Sequence, residues 1–242
     1  MHKQSIRMSE PKWLMAVTSL FIAALLSANI IAVKLVDLGT YPFIGSVIVD
    51  AGIIIFPISY ILGDVLTEVY GFRIARSVIL YGFLANLILV ICISISDVLP
   101  AATSLWQDQD SYSLILGFSK RLLVASFAAY LVGEFVNSYI MATLKVRTEG
   151  KFLFVRTILS TLVGQALDST IFVFIAFSGI ITFDDMIMMV AVNWLLKVTY
   201  EIIGTPLTYA TVNFLKRSED IDIYDRDLNS NFIRFAKSNK RI

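Results

Sequence analysis

The chain has 242 residues, of which 57% are apolar and 16% charged, with a formal net charge of +1. A soluble domain holds about 45–50% apolar and about 25% charged residues, so this composition excludes an ordinary soluble fold. The single cysteine, Cys92, excludes an intrachain disulfide, and the single histidine, His2, excludes a histidine-built metal or catalytic cluster.

Residues 1–12 read as a short N-terminus bearing Lys3, Arg7 and Lys12. The first span, 13–33, has no charge. At about 1.5 Å per residue it crosses a hydrocarbon core of about 30 Å, and it is too long for a cleaved signal peptide. Its Ala24, Ala28 and Ala32 recur at four-residue steps, a spacing that serves close helix packing or a docked partner. The second span, roughly 50–69, contains Pro57, which predicts a bend that frees the carbonyl of Ile53. It ends in "GDVLTEVYGFRIAR", where Asp64 and Glu68 share one helical face. Glu68 reads as an interfacial partner of Arg73 or Arg76, and Asp64 as a residue turned inward.

The third span, 77–96, is again uncharged, and residues 97–120 form the longest loop, with Trp106 and Tyr112 suited to a membrane interface. Spans four, five and six cover roughly 121–144, 156–181 and 187–215. Pro206 predicts a bend in the last one near Glu201. Residues 216–242 form a charged tail that reads as mobile or surface-bound, and its end, "FIRFAKSNKRI", suits anionic lipid. The runs do not alternate in ten-residue segments, which argues against a β-barrel. The expected fold is an all-α membrane protein, a six-transmembrane-helix bundle in one domain, 13–215. No sequence repeat is evident, but three spans on either side of the long loop start from opposite faces, as inverted halves require.

Outside these spans or at their ends, sixteen Lys and Arg fall on the side of the two termini and three, Lys34, Lys120 and Arg121, on the other. This positive-inside bias puts both termini in the cytoplasm.

The informative residues are the polar ones inside apolar spans. Each ionised group at a helix centre costs about 2.5–3.5 kcal/mol on insertion scales, so it pairs, meets water or binds something. "GEFVNSY" sets Asn137 one turn from Glu134, and "GQALDST" sets Asp168 one turn from Gln165. "NWLLKVTYEIIGTP" sets Asn193, Lys197 and Glu201 at successive four-residue steps. With Asp64 and Asn29 these make a set of candidate substrate-binding residues: Asp168, Gln165, Glu134, Asn137, Asp64, Lys197, Glu201 and Asn29. Lys197 can instead neutralise one carboxylate, and Asn29, Asn137 and Gln165 can be interhelical hydrogen-bond glue. One lysine does not balance five acids.

"GDVLTEVYGFRIAR", "RLLVASFAAYLVGEFVNSYIMATLK", "RTILSTLVGQALDSTIFVFIAF" and "WLLKVTYEIIGTPLTY" together resemble the queuosine precursor transporter family, also called the vitamin uptake transporter family. The likeness runs from about Asn29 to about Tyr209. It implies a six-helix importer of 7-deazaguanine bases (prequeuosine bases or queuine) for tRNA queuosine salvage. It also implies a fold similar to the substrate-binding subunits of energy-coupling-factor transporters. A deazaguanine edge carries two adjacent donors beside a carbonyl acceptor; a carboxylate takes both donors while an amide or lysine gives to the carbonyl. Asp168 with Gln165, or Glu134 with Asn137, supplies such a set, and Phe172 can stack on the ring or pack the core.

The resemblance implies a nucleobase substrate and contact with lipid, no cofactor and no nucleic-acid partner. A homo-oligomer and a coupling ion, proton or sodium, are compatible with it. Two other readings remain: a binding subunit of an ATP-driven uptake system, and an intramembrane enzyme. The chain is expected not to be an enzyme, because it has no HExxH, GxSxG, Cys–His set or phosphate loop.

Overall fold

The computed structural model describes residues 11–31, 34–41, 45–102, 104–116 and 120–226. Expectations for residues 1–10, for Ala32 and for the lipid-facing end of the tail lie outside the described residues. The elements run α1 (Leu14–Ile31), β1 (Leu35–Tyr41), β2 (Gly45–Asp50), a 3-10 turn (Ala51–Ile54), α2 (Phe56–Tyr70), α3 (Phe72–Val98), α4 (Gln109–Leu116), α5 (Lys120–Arg147), α6 (Leu153–Phe177) and α7 (Phe183–Glu219). Among the described residues, five helices are long and apolar enough to cross a membrane: α1, α3, α5, α6 and α7. The chain is a multi-pass helical membrane protein.

The region expected to open the second span is different in kind. Residues 35–41 and 45–50 pair as antiparallel strands, with Leu35 opposite Asp50 and Tyr41 opposite Gly45, so the fold is not purely helical. Val, Ile, Thr and Tyr, enriched in strands, dominate this segment. The register slips between Asp37 and Thr40, where Gly39 takes a φ of +105° that side-chain-bearing residues avoid. Helix α2 therefore begins at Phe56, not near residue 50. Pro57 sits in its first turn, where its missing N–H costs nothing, so it starts the helix and does not bend it.

At 15 residues α2 spans about 22 Å, short of the hydrocarbon thickness. Its position explains how it can be short. Every residue from Ile61 to Gly71 is buried, so α2 is wrapped by the other helices and needs little lipid contact. Leu62, Val65, Leu66 and Val69 pack with Val17, Phe21 and Leu25 of α1, Val78 of α3, Met141 of α5 and Val212 of α7.

Contacts fix which helix ends gather. The Trp13 indole N–H donates to Ser218 Oγ at 3.0 Å, and the Phe154 N–H donates to the Tyr209 hydroxyl at 2.9 Å. The start of α1, the start of α6 and the end of α7 thus share one end of the bundle, here termed the lower end. Gly71, at φ +82°, breaks α2 from α3 there, and Asp225 accepts the first N–H of α3, from Phe72, at 2.7 Å. Residues 220–226, part of the segment that reads from sequence as a mobile or surface-bound tail, fold back as a strap. Lys145 Nζ holds the strap by donating to Asp222 Oδ1 at 2.5 Å and to the Ile223 carbonyl at 2.7 Å.

Helices α5 and α6 approach closely at Gly133 and Gly164. A Cβ on Gly164 would stand 2.9 Å from the Gly133 carbonyl oxygen and 2.8 Å from Asn137 Cβ; one on Gly133 would stand 2.7 Å from Asp168 Cβ. The crossing sets Glu134 and Asn137 directly beside Gln165 and Asp168. Replacing Gly164 by alanine overpacks against backbone, which outweighs the helix-propensity gain and should cost about 1–2 kcal/mol net. Gly204→Ala meets only the mobile end of Ile61, at 3.2 Å, and should leave stability unchanged or raised. Thermal unfolding of the two variants in one detergent separates these outcomes.

Candidate functional site

Polar side chains lie at three successive depths along the bundle. The uppermost surround a cavity of about 120 Å³. At about 10–15 Å³ per water-sized occupant, it has room for roughly eight to twelve of them, the scale of a bicyclic heterocycle. Its walls come from five helices: Asn29 and Phe21 from α1, Ser59 and Tyr60 from α2, Ser126, Tyr130 and Glu134 from α5, Gln165, Asp168, Ser169 and Phe172 from α6, and Asn193 and Lys197 from α7.

Within this cavity Lys197 Nζ pairs with Asp168 Oδ2 across the α6–α7 interface. The Tyr60 hydroxyl donates to Gln165 Oε1 at 3.0 Å. Asn29 donates to Asn86 Oδ1 at 2.8 Å and accepts from Ser126 Oγ at 3.4 Å. Glu134 is buried against Gly63, and its Oε1 has no hydrogen-bond partner. The absence of a side chain at Gly63 makes room for that carboxyl group. The cavity thus presents an acid–lysine pair, an amide, an unpaired carboxyl oxygen and aromatic walls. That set suits a flat solute with both donors and acceptors on its edge.

Five of the eight expected residues line the cavity: Asp168, Gln165, Glu134, Lys197 and Asn29. The other three lie together one turn lower and line no part of it. Asp64 of α2 accepts from Asn137 Nδ2 of α5 at 3.0 Å, and Glu201 of α7 interacts with Asp64 side chain to side chain. Asp64 is turned inward, as expected. Tyr60, Ser126 and Tyr130 were not anticipated. Ser126 and Tyr130 precede Glu134 at four-residue steps, so helical spacing from Glu134 points to them, and Tyr60 precedes Asp64 by the same step.

The lowest depth corrects the reading of Glu68. It is fully buried and pairs with neither Arg73 nor Arg76. Arg156 of α6 grips it through both terminal guanidinium nitrogens, Lys216 of α7 donates to Oε1 at 2.6 Å, and Lys145 of α5 stands 3.8 Å away. Arg73 lies beyond the Gly71 break, on a helix that leaves in another direction, and is exposed. The strap closes over this cluster through Asp222, which bonds Lys145 and Lys216. Partial burial pushes the Asp222 carboxyl up, but the bonds from the two lysines prevail and hold it below the usual carboxylate range. Its contribution is therefore complete above about pH 4 and is lost only as pH falls through the lowered value.

Comparisons with known proteins add the following. A family model described as "Putative vitamin uptake transporter" matches residues 50–211. A relative from Bacillus subtilis (strain 168), named "Probable queuosine precursor transporter", is 28% identical over 201 residues, covering 81% of this chain and 83% of the relative. No solved structure matches the chain, so the expected likeness to energy-coupling-factor subunits rests on the sequence resemblance alone.

Glu68→Gln leaves buried Arg156 and Lys145 without their carboxylate. Breaking a buried ion cluster in this way should cost about 3–5 kcal/mol, whereas Arg73→Ala should stay within about 0.5 kcal/mol of the parent. Denaturation midpoints of the two variants check this; equal, small effects would return Glu68 to the surface role read from sequence.

Proposed function

Because the chain belongs to the vitamin uptake transporter family, we propose that it is a bacterial inner-membrane importer of queuosine precursors, binding a 7-deazaguanine base in the cavity for tRNA queuosine salvage. The family and the named relative are transporters, and the chain is a transporter rather than an enzyme. The sixteen-to-three distribution of Lys and Arg supports both termini lying in the cytoplasm. In that orientation the cavity belongs to the outer half of the bundle, and the Glu68 cluster with its strap closes the inner end.

The observation that carries the substrate class is the Asp168–Lys197 pair on the cavity wall. A guanine-type edge reads donor, donor, acceptor. A carboxylate beside an ammonium presents the complement: two acceptor oxygens for the ring N–H and exocyclic amine, and a donor for the carbonyl. Gln165, held by Tyr60, and Glu134 flank this edge, and Phe172 and Tyr130 supply faces for the ring. Ala24 and Ala28, the face that would dock a separate ATP-driven engine, are buried within the bundle. This favours a self-sufficient carrier.

Asp168→Asn preserves volume but turns one acceptor into a donor facing the base's own donors. The loss of a charge-assisted bond with an unpaired donor should cost about 2–4 kcal/mol, roughly 30- to 1000-fold in affinity. Uptake of labelled prequeuosine bases and queuine into cells unable to make them should require the intact chain and fall accordingly in the variant, with the protein still folded by thermal melt. Near-native uptake by Asp168→Asn would move recognition to Glu134.

A further inference from the structure

Below the cavity, two carboxyl groups meet with no donor between them. Asp64 is 1% exposed and Glu201 3%, and their side chains interact directly. Asp64 Oδ2 and Glu201 Oε1 have no hydrogen-bond partner. Asn137 gives its N–H to Asp64 Oδ1 and keeps its own Oδ1 unpartnered. Two acceptors in contact at such depth repel unless something positive lies between them.

The surrounding helices do not supply it. Over Leu14–Ile31, α1 has no titratable residue. The charged residues of α3, Arg73, Arg76 and Asp97, sit near its two ends. From α5 come Tyr130 and Glu134, the latter a third carboxyl within electrostatic reach of both Asp64 and Glu201. From α6 come Asp168, which takes Lys197 of α7, and Arg156, which with Lys145 and Lys216 serves Glu68 of α2. Among the described residues, no group of three His, Cys, Asp or Glu is disposed to hold a metal ion.

We infer that Asp64 and Glu201 form a proton site, with one proton shared between the two carboxyls, and that this proton accompanies each base through the membrane. The inference rests on reading the chain as an importer and adds its energy source. Loading forms one O–H bond on the pair, taking its charge from −2 to −1, and release on the far side breaks that bond. Glu134 links the site to the solute, since it lines the cavity and its Oε1 is unpartnered. Asn137 orients Asp64 toward Glu201 by fixing its other oxygen. Protonation thereby replaces the repulsion between two carboxylates, which would oppose moving α2 past α7, with a shared hydrogen bond and a single charge.

The test uses purified protein in liposomes with an entrapped pH dye, a labelled prequeuosine base, and the membrane potential clamped by potassium and valinomycin. With the outside one pH unit more acidic than the lumen, one proton per base gives about tenfold accumulation, because one unit is a tenfold proton ratio. The dye should report one proton entering per base. Asp64→Asn and Glu201→Gln should still exchange labelled for unlabelled base, yet neither accumulate it nor acidify the lumen. Wild-type protein that exchanges base but accumulates it equally without a pH gradient, or only with a sodium gradient, overturns the proton site and leaves the import reading standing. Wild-type protein that exchanges no base overturns the import reading and this inference with it. The wild-type stoichiometry decides the matter even if a variant fails to fold.

Discussion

A carboxylate at hydrocarbon depth has to be matched by a cation, a donor, water or a proton, and this bundle is arranged around that demand. Five acids stand along its interior, and each is answered differently. Glu68 has three cations, Asp168 has one, Glu134 faces the cavity, and Asp64 and Glu201 face each other. The helices that present them are held in register by the α5–α6 glycine crossing and by the buried α2, whose apolar sides the other helices cover. Were that crossing wider, Asp168 would no longer stand beside Glu134 and the cavity would lose its polar edge.

The vertical order of these groups carries the functional account. The solute cavity, the carboxyl pair and the cation-clamped Glu68 follow one another down the bundle, at one-turn steps along α2 through Tyr60, Asp64 and Glu68. A solute held at the first level is separated from the lower end by two levels of buried polar contacts. The third is the most firmly satisfied, and the strap adds a further layer through Asp222 and Asp225. A carrier has to open that end, and the opening has to break contacts of this kind together or move the helices that bear them as one unit.

Much of this was legible in the sequence. Apolar runs located the long helices, and helical spacing put Glu134 and Asn137, Gln165 and Asp168, and Lys197 and Glu201 on common faces. The strand pair at 35–41 and 45–50 was not legible as such, because hydropathy does not distinguish a β-branched strand from the start of a buried helix, and Pro57 suits either a kink or a first turn. Glu68 was misread because its neighbours in sequence carry charge while its real partners lie 77, 88 and 148 positions away. The separation of Asp64, Asn137 and Glu201 from the cavity was hidden for another reason. Spacing shows which face a residue occupies, but not which of two levels one turn apart it meets on neighbouring helices.

The central claim is that the cavity reads a donor–donor–acceptor edge with Asp168 and Lys197. Calorimetric titration of the purified wild-type protein with a prequeuosine base, and with the same base lacking its exocyclic amine, tests it most directly. The account predicts saturable one-to-one binding of the first and affinity for the second weaker by about 1.5–3 kcal/mol, roughly 10- to 150-fold, since one charge-assisted bond is lost. Equal affinity for the two, or no binding of either, would contradict it.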